Sequence, residues 1–351
     1  MKKNSTKQRE EVEQRNFQGR DEMNLAEFPI AALGKRQAGQ RSLIFVDTIY
    51  HEAEKKPVTR TLTITASEPF GLPTSRDEEV ILALIQLSAQ NNFTDKEIFF
   101  TRYEIIKLLG WKDDGVSYRR VENSLRLWLG VHLFYDKAWW DKSIQSWVKE
   151  GFNIIDSISI YDKERRRKEL KLSLGNPHAG LSRITWGSVI FKSFQAGNIK
   201  RLNFDFYTSL STPIAKRMFR FLDKRFYHSK SLEFELKNFA YNHIGLSEYG
   251  DTTNLKAKLK QAIKELEEKG FLIPLSASER FYSPRRGVHY VRFERSSINT
   301  PQKAPQLQRE TPPLEELSNT IVRIKPRTSP QPTKEELEMI CEKFNLKWRP
   351  S

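Results

Sequence analysis

Cysteine is nearly absent, Cys341 being the only one in 351 residues. A lone thiol excludes an intramolecular disulfide and any cysteine-based zinc site, and it suits a reducing compartment. No apolar run approaches the roughly 18 residues a membrane span needs. The longest, Val80 to Leu87, is interrupted by Gln86. The opening MKKNSTKQREEVEQRN has no apolar h-region, so neither a signal peptide nor a membrane anchor is expected there. Histidines are few and scattered singly at His51, His132, His178, His228, His243 and His289. None pairs at metal-ligand spacing, and no His-x-His strand of a metal-dependent nicking protein is present. Phosphate-cradling glycine loops, GxxxxGK(S/T) or GxGxxG, are also missing, Gly34-Lys35 being an isolated dipeptide. These absences give an expectation of no catalytic constellation, no metal and no cofactor: the chain reads as a non-enzyme.

Basic charge is abundant. Lys and Arg number 59 against 44 Asp and Glu, a formal net charge of +15. A field of that sign attracts polyanions and speeds their capture, so nucleic acid is the first partner to consider. A membrane surface would call for a basic amphipathic helix or a lipid anchor, and neither is evident. The length fits about two domains. A cytoplasmic protein is expected.

The α+β pattern falls into two similar halves. Residues 1–23 are polar and without periodicity, which reads as a disordered arm. SLIFVDTIY from Ser42 and TRTLTITAS from Thr59 read as a hairpin turning through HEAEKKPV. Ser75-Arg-Asp-Glu78 reads as a capping box ahead of a helix over 76–89, and the acidic triplet Asp77, Glu78, Glu79 is assigned to capping and the helix dipole. A strand at Ile98 to Phe100 leads into a second box, Thr101-Arg-Tyr-Glu104, a helix to Leu109, and a third helix over 117–129 closed by Gly130. The β-rich stretch from Val131 to Ile160 reads as a wing and its extension, with Trp139, Trp140 and Trp147 as sheet core. The run KERRRKELK, Lys163 to Lys171, is either a phosphate contact or a solvated turn. The order then recurs: Thr212-Pro213 starts a helix, SLEFELKNFAYNHIGL gives strand and short helix, Asn254 to Lys269 gives the third helix, and residues 271–296 give strand, turn and strand. Residues 297–333 are rich in Pro, Ser, Thr and Gln and read as a flexible linker before a short helix capped at Thr333.

On a helical wheel the third helix keeps Tyr118, Val121, Leu125, Trp128 and Leu129 on one side and Arg119, Arg120, Asn123 and Arg126 on the other. Arg pairs with guanine and Asn with adenine at groove edges, although a solvated helix face has the same pattern. In the second half Leu255, Leu259, Ala262, Ile263 and Leu266 face the core. Thr253, Asn254, Ala257, Lys260, Gln261 and Lys264 point outward, flanked by Lys256 and Lys258. Its lysines lie early and Glu265, Glu267 and Glu268 late, the reverse of what the helix dipole favours, and a DNA phosphate at the N-terminal half would account for that order. The hairpin tip Glu279 to Gly287 gathers Arg280, Arg285 and Arg286 beside Tyr282, suited to a minor groove or to phosphates.

FGLPTSRDEEVILALIQLS (Phe70 to Ser88), VSYRRVENSLRLWLGV (Val116 to Val131) and NFDFYTSLSTPIAKRMFRFLDKRF (Asn203 to Phe226), with NLAEFPIAAL near Asn24, resemble the plasmid replication initiators of the replication initiator protein A type. The resemblance covers residues 24–295, with Asn203 standing where an acid is expected. It implies two winged-helix domains, 24–200 and 201–296, that bind repeated double-stranded sites (iterons) at a plasmid origin. It also implies duplex opening, recruitment of the host initiator and replicative helicase, and dimers that repress their own gene. In that picture the Asn254 to Lys264 face is the main reader, and the Arg119 to Arg126 face a second reader or phosphate contact. The alternative is a winged-helix repressor with no role in replication.

Overall fold

The described residues begin inside the expected arm. The computed structural model describes residues 19–33, 40–51, 55–68, 70–161, 178–247 and 251–297. Within it Gly19–Glu22 form strand β1 and Met23–Glu27 helix α1, so residues 19–23 are not a disordered arm. β1 has no local signal because its partner is remote: it pairs antiparallel with β9, Ile199–Leu202. A Cβ on Gly19 would come within 2.7 Å of the Leu202 carbonyl oxygen, so the strands meet only because a glycine stands there. All the described residues fall within one unit. Gly34-Lys35, the Lys163 to Lys171 run, the linker from residue 298, the Thr333 helix and Cys341 lie outside the described residues.

The hairpin is β2 (Ser42–His51) with β3 (Lys56–Ala66). Helix α2, Ser75–Gln90, is buried throughout Glu78 to Ser88, as suits a helix that is apolar on nearly all sides. Gln86 tolerates this because its amide donates to the Leu82 and Arg20 carbonyls and accepts from Arg20 N–H, fastening β1 to the helix. The cap sits one residue earlier than read: Asp77 accepts from the N–H and hydroxyl of Thr74 at 2.7 and 2.6 Å. That register sends Glu78 and Glu79 inward, which corrects their assignment to capping and dipole. Strand β4 (Glu97–Phe100), helix α3 (Arg102–Leu108, boxed by Thr101 and Glu104) and helix α4 (Gly115–Leu129, ended at Gly130) follow as expected.

The wing does not. Strands β5 (Val131–Asp141) and β6 (Ser146–Asn153) join the hairpin in a four-stranded antiparallel sheet, β2-β3-β5-β6. Facing pairs such as Leu62 with Tyr135 and Ile64 with Leu133 bury its inner side. Trp139 packs edge-on to Tyr135 and Phe152, and Trp140 meets Trp147 across the strands. The strand that pairs with β4 is β8 (Ser182–Trp186), and β7 (Ile155–Ser159) pairs with β8 on its other side, in the order β4-β8-β7. Residue spacing marks a strand but not its partner, and here an inserted hairpin separates α4 from the pair that closes the motif.

Helix α5 (Ser188–Gln195), β9 and α6 (Phe204–Ser209) connect β8 to the second half. Asn203 caps α6 by accepting from Phe206 N–H at 3.0 Å, the job an acid would do. The second half then runs α7 (Pro213–Arg225), β10 (Ser231–Glu235), α8 (Leu236–Asn238) continuing into a π-helical turn at Phe239–His243, α9 (Thr252–Glu268), α10 (Ala277–Arg280), β11 (Phe281–Arg285) and β12 (Val288–Glu294). Its sheet order is β10-β12-β11. Both halves therefore run helix, strand, helix, helix, strand, strand once the β5-β6 hairpin of the first and the short α10 of the second are set aside, and in both the first strand pairs with the last.

Buried charge joins the halves. Arg220 of α7 makes two bonds to Asp21, at 2.8 and 2.9 Å, and also meets Glu78. Lys216 reaches Glu79 at 3.1 Å, and Lys224 reaches Glu27 at 2.5 Å, where Arg225 and Arg60 converge. Arg217 donates to the His243 and Glu27 carbonyls, each at 2.9 Å. Burial alone would raise the Asp21 and Glu27 pKa values. The adjacent Arg220 outweighs it at Asp21, and Lys224 with Arg225 at Glu27, so both acids titrate below their ordinary range.

Candidate nucleic-acid interface

Helix α4 is set by Asp114, which accepts from Ser117 N–H at 2.9 Å. Val121, Leu125 and Trp128 are buried beneath it, whereas Tyr118 is half-buried and Leu129 lies 37% exposed, so the apolar side is narrower than read. Arg119, Arg120, Asn123 and Arg126 are all exposed on the opposite side. Part of that face is already occupied: Glu122 binds Arg126 and Arg102, each at 2.6 Å. The Arg120 guanidinium lies over the Trp111 indole at 5.5 Å, with Arg76 over the same ring at 5.7 Å. Two adjoining open cavities, about 400 and 380 Å³, flank the N-terminal end of α4 and share Arg76, Val116 and Arg120.

Helix α9 is capped by Asp251, which accepts from Asn254 N–H at 2.7 Å. Leu255, Leu259, Ala262, Ile263 and Leu266 are its buried residues, as expected. Thr253, Asn254, Ala257, Lys258, Lys260, Gln261 and Lys264 are exposed. Lys256 is half-buried with its ammonium 5.9 Å from the Phe281 ring, and Lys264 pairs with Glu268 at 3.6 Å. The reversed charge order has a partly internal cause. Glu265 accepts from Ser211 N–H and the Thr212 hydroxyl at the start of α7, and Glu267 binds Arg280 at 2.5 Å. Two of the late glutamates are thus tertiary anchors, whereas Lys258 and Lys260 have no carboxylate at ion-pair distance among the described residues.

The second hairpin separates what the sequence grouped. Arg285 and Arg286 are exposed at the tip, where Gly287 adopts φ +82°. Arg280 is not with them. It ends α10, is 3% exposed, and donates to Glu267 and to the Ile273 and Arg292 carbonyls, so it is withdrawn from any DNA surface. Tyr282 lies back along the sheet, stacked on Tyr290 and donating to Glu233 at 3.0 Å. The grouping failed because Ser276 and Glu279 form a capping box that turns residues 277–280 into a helix. Sequence reading also missed Arg76, Trp111 and Lys112, whose only signal was the mixture of cations and tryptophan around the turns that precede α2 and α4.

Among the described residues no group of three or more His, Cys, Asp or Glu could hold a metal, and no helix is long and apolar enough to cross a membrane. A family model described as replication initiator protein A matches residues 20–263. Solved structures similar to the chain include domains 2 and 3 of RctB, in two structures, and the Pi initiator protein in complex with iteron DNA. The first RctB structure is 12% identical, covering 78% of this chain and 98% of that one at a TM-score of 0.46. The second is 12% identical, covering 76% and 96% at 0.43. The Pi complex is 12% identical, covering 64% and 92% at 0.42. No curated protein matches the chain.

Proposed function

The chain belongs to the replication initiator protein A family, and from that premise we propose that it binds repeated double-stranded DNA sites at a plasmid origin through two winged-helix units. The observation that carries this reading is the repeated motif. Helices α4 and α9 are each the third helix of the repeated motif, each precedes a strand pair (β7-β8 and β11-β12) whose last strand joins the motif's first strand, and each turns an exposed face of Arg, Lys, Asn or Gln outward. A winged helix places that third helix in the major groove and its hairpin against the backbone or minor groove. Asn254, Gln261 and Asn123 are the amide side chains on these faces able to read adenine, and Arg119 and Arg120 the guanidiniums able to read guanine. Lys258, Lys260, Arg285 and Arg286 are assigned to phosphates.

The mechanism is binding and strain of the duplex, without catalysis, in the cytoplasm. Opening of the origin, recruitment of the host initiator and helicase, and repression of its own gene by a dimer complete the proposal. A footprint and salt titration on the DNA flanking its own gene, comparing wild type with a Lys256→Ala, Lys260→Ala, Arg285→Ala variant, tests it. Regularly spaced protection that the variant loses is the expected result. Sequence-blind binding, or protection that survives in the variant, overturns the assignment of α9. A transformation assay with the protected repeats on a plasmid lacking any other origin then separates an initiator from a repressor.

A further inference from the structure

The cleft beside α4 is built by both halves of the chain. Its walls come from the first turn of α2 (Arg76), the α3 to α4 turn (Lys112), α4 itself (Arg119 and Arg120), and the turn from α6 into α7, with Lys216 at its inner end. The acids lining it are Asp77 and Asp114, and both are engaged as helix caps, Asp77 by Thr74 and Asp114 by Ser117. Glu79 lies buried beneath and holds the floor rigid. Its carboxylate accepts from Arg76 at 3.1 Å, from Trp111 Nε1 at 3.1 Å and from Lys216 Nζ at 3.1 Å. Trp111, so fixed, carries the guanidiniums of Arg76 and Arg120 on its ring. Lys112 and Arg119 are exposed and have no carboxylate at ion-pair distance among the described residues. The result is a concave surface with an excess of positive charge, whose acids already have partners, in which Arg76, Arg120 and Lys216 are preoriented by an indole or a buried carboxylate while Lys112 and Arg119 are exposed.

We propose that this cleft is a phosphate-binding site in which Arg76, Lys112 and Lys216 hold the oxygens of a DNA backbone phosphate next to the groove entered by α4. Guanidinium and ammonium groups gathered on a concave surface suit phosphate oxygens, and preorientation lowers the ordering cost of binding them. The site rests on the DNA-binding reading for its source of phosphate, whereas its chemistry would equally accept a free polyphosphate.

The test uses the full chain, with Lys112→Ala and Arg76→Ala variants made singly and together. Lys112 is on an exposed turn, so its removal leaves the fold intact, and a thermal melt checks both. Affinity for the footprinted duplex and for a random-sequence duplex is measured across a salt series, and inorganic tripolyphosphate is titrated while tryptophan fluorescence is followed. Removing one cation that neutralises a DNA phosphate lowers the log-log salt slope by about 0.9. The expected result is a slope smaller by about one for each single variant, with affinity falling alike on both duplexes. An unchanged slope in the folded Lys112→Ala protein, where wild type binds DNA, overturns the proposal. Should wild type bind no DNA, loss of tripolyphosphate binding in the variants upholds the site with a free phosphate as its source. In that case, binding absent in wild type or retained in the variants overturns it.

Discussion

Arg220 shows how much depends on one side chain. It is 1% exposed and counters Asp21 and Glu78, both nearly as buried. Removing one partner of such a group leaves charges stranded in low dielectric, a cost of about 3–5 kcal/mol. Arg220→Ala is therefore expected to lower the urea midpoint by that equivalent, and a variant within about 1 kcal/mol of wild type would refute the role. Glu22 makes the opposite electrostatic case. Burial pushes its pKa up to about 7, although Leu25 N–H, Ser193 and Asn198 donate to it. A carboxyl whose folded pKa lies above its unfolded value adds stability at low pH and loses it as pH rises, here between about 4.5 and 7. The shift corresponds to about 3 kcal/mol at most. Glu22→Gln, which cannot ionise, is expected to flatten the fall in melting temperature between about pH 5 and pH 8. An unaltered profile would mean that Glu22 stays charged in the fold. Asp21 and Glu27, held low, act with the other sign: their contribution is present above the ordinary carboxylate range and is lost as pH falls below it.

At the scale of elements the second hairpin separates an arginine that stabilises the fold from the arginines proposed to meet DNA. Arg280 staples α10 to α9 and to β12, whereas Arg285 and Arg286 stand at the tip. Arg280→Ala is expected to cost about 2–4 kcal/mol, since it leaves Glu267 and two carbonyls without their donor. Arg285→Ala is expected to stay within about 0.5 kcal/mol of wild type while weakening DNA binding. Denaturation and mobility-shift assays on the two proteins check this. Equal stability loss in both, or a binding defect confined to Arg280→Ala in a fully folded protein, would reverse the assignment. Helix α9 carries a similar lesson. Its late glutamates anchor α7 and Arg280, so charge order alone overstates the case for a phosphate, and the exposure of Lys258 and Lys260 is the firmer ground.

At the scale of the whole molecule, the ion network from β1, α1 and α2 to α7 fixes one half against the other. Two linked modules reading one duplex need half-sites about one helical turn apart, or a multiple of it. A rigid junction sharpens this expectation. Inserting about 5 bp, half a turn, between the half-sites should abolish binding by rotating one groove away. Inserting about 10 bp should not restore it, because the network prevents the halves from separating by the added length of about 34 Å. Mobility shifts on the spaced sites measure both, and recovery with the full-turn insertion would show that the junction opens.

Local rules acted where neighbours in sequence are neighbours in space. The caps at Thr101, Thr212 and Gly130, the hairpin from Ser42, the core side of α9 and the recurrence of element order were legible because helical and strand periods, capping residues and turn formers act within a few positions. Only the tertiary structure decided the rest. It gave β5 and β6 to the N-terminal hairpin, made a strand of Gly19–Glu22, drew Glu78, Glu79 and Arg280 inward, and assembled the cleft at Trp111 from segments far apart in the chain. Strand partners and counter-ions are chosen by what faces them across the core. A charged residue reads the same in sequence whether it meets water, a buried carboxylate or DNA.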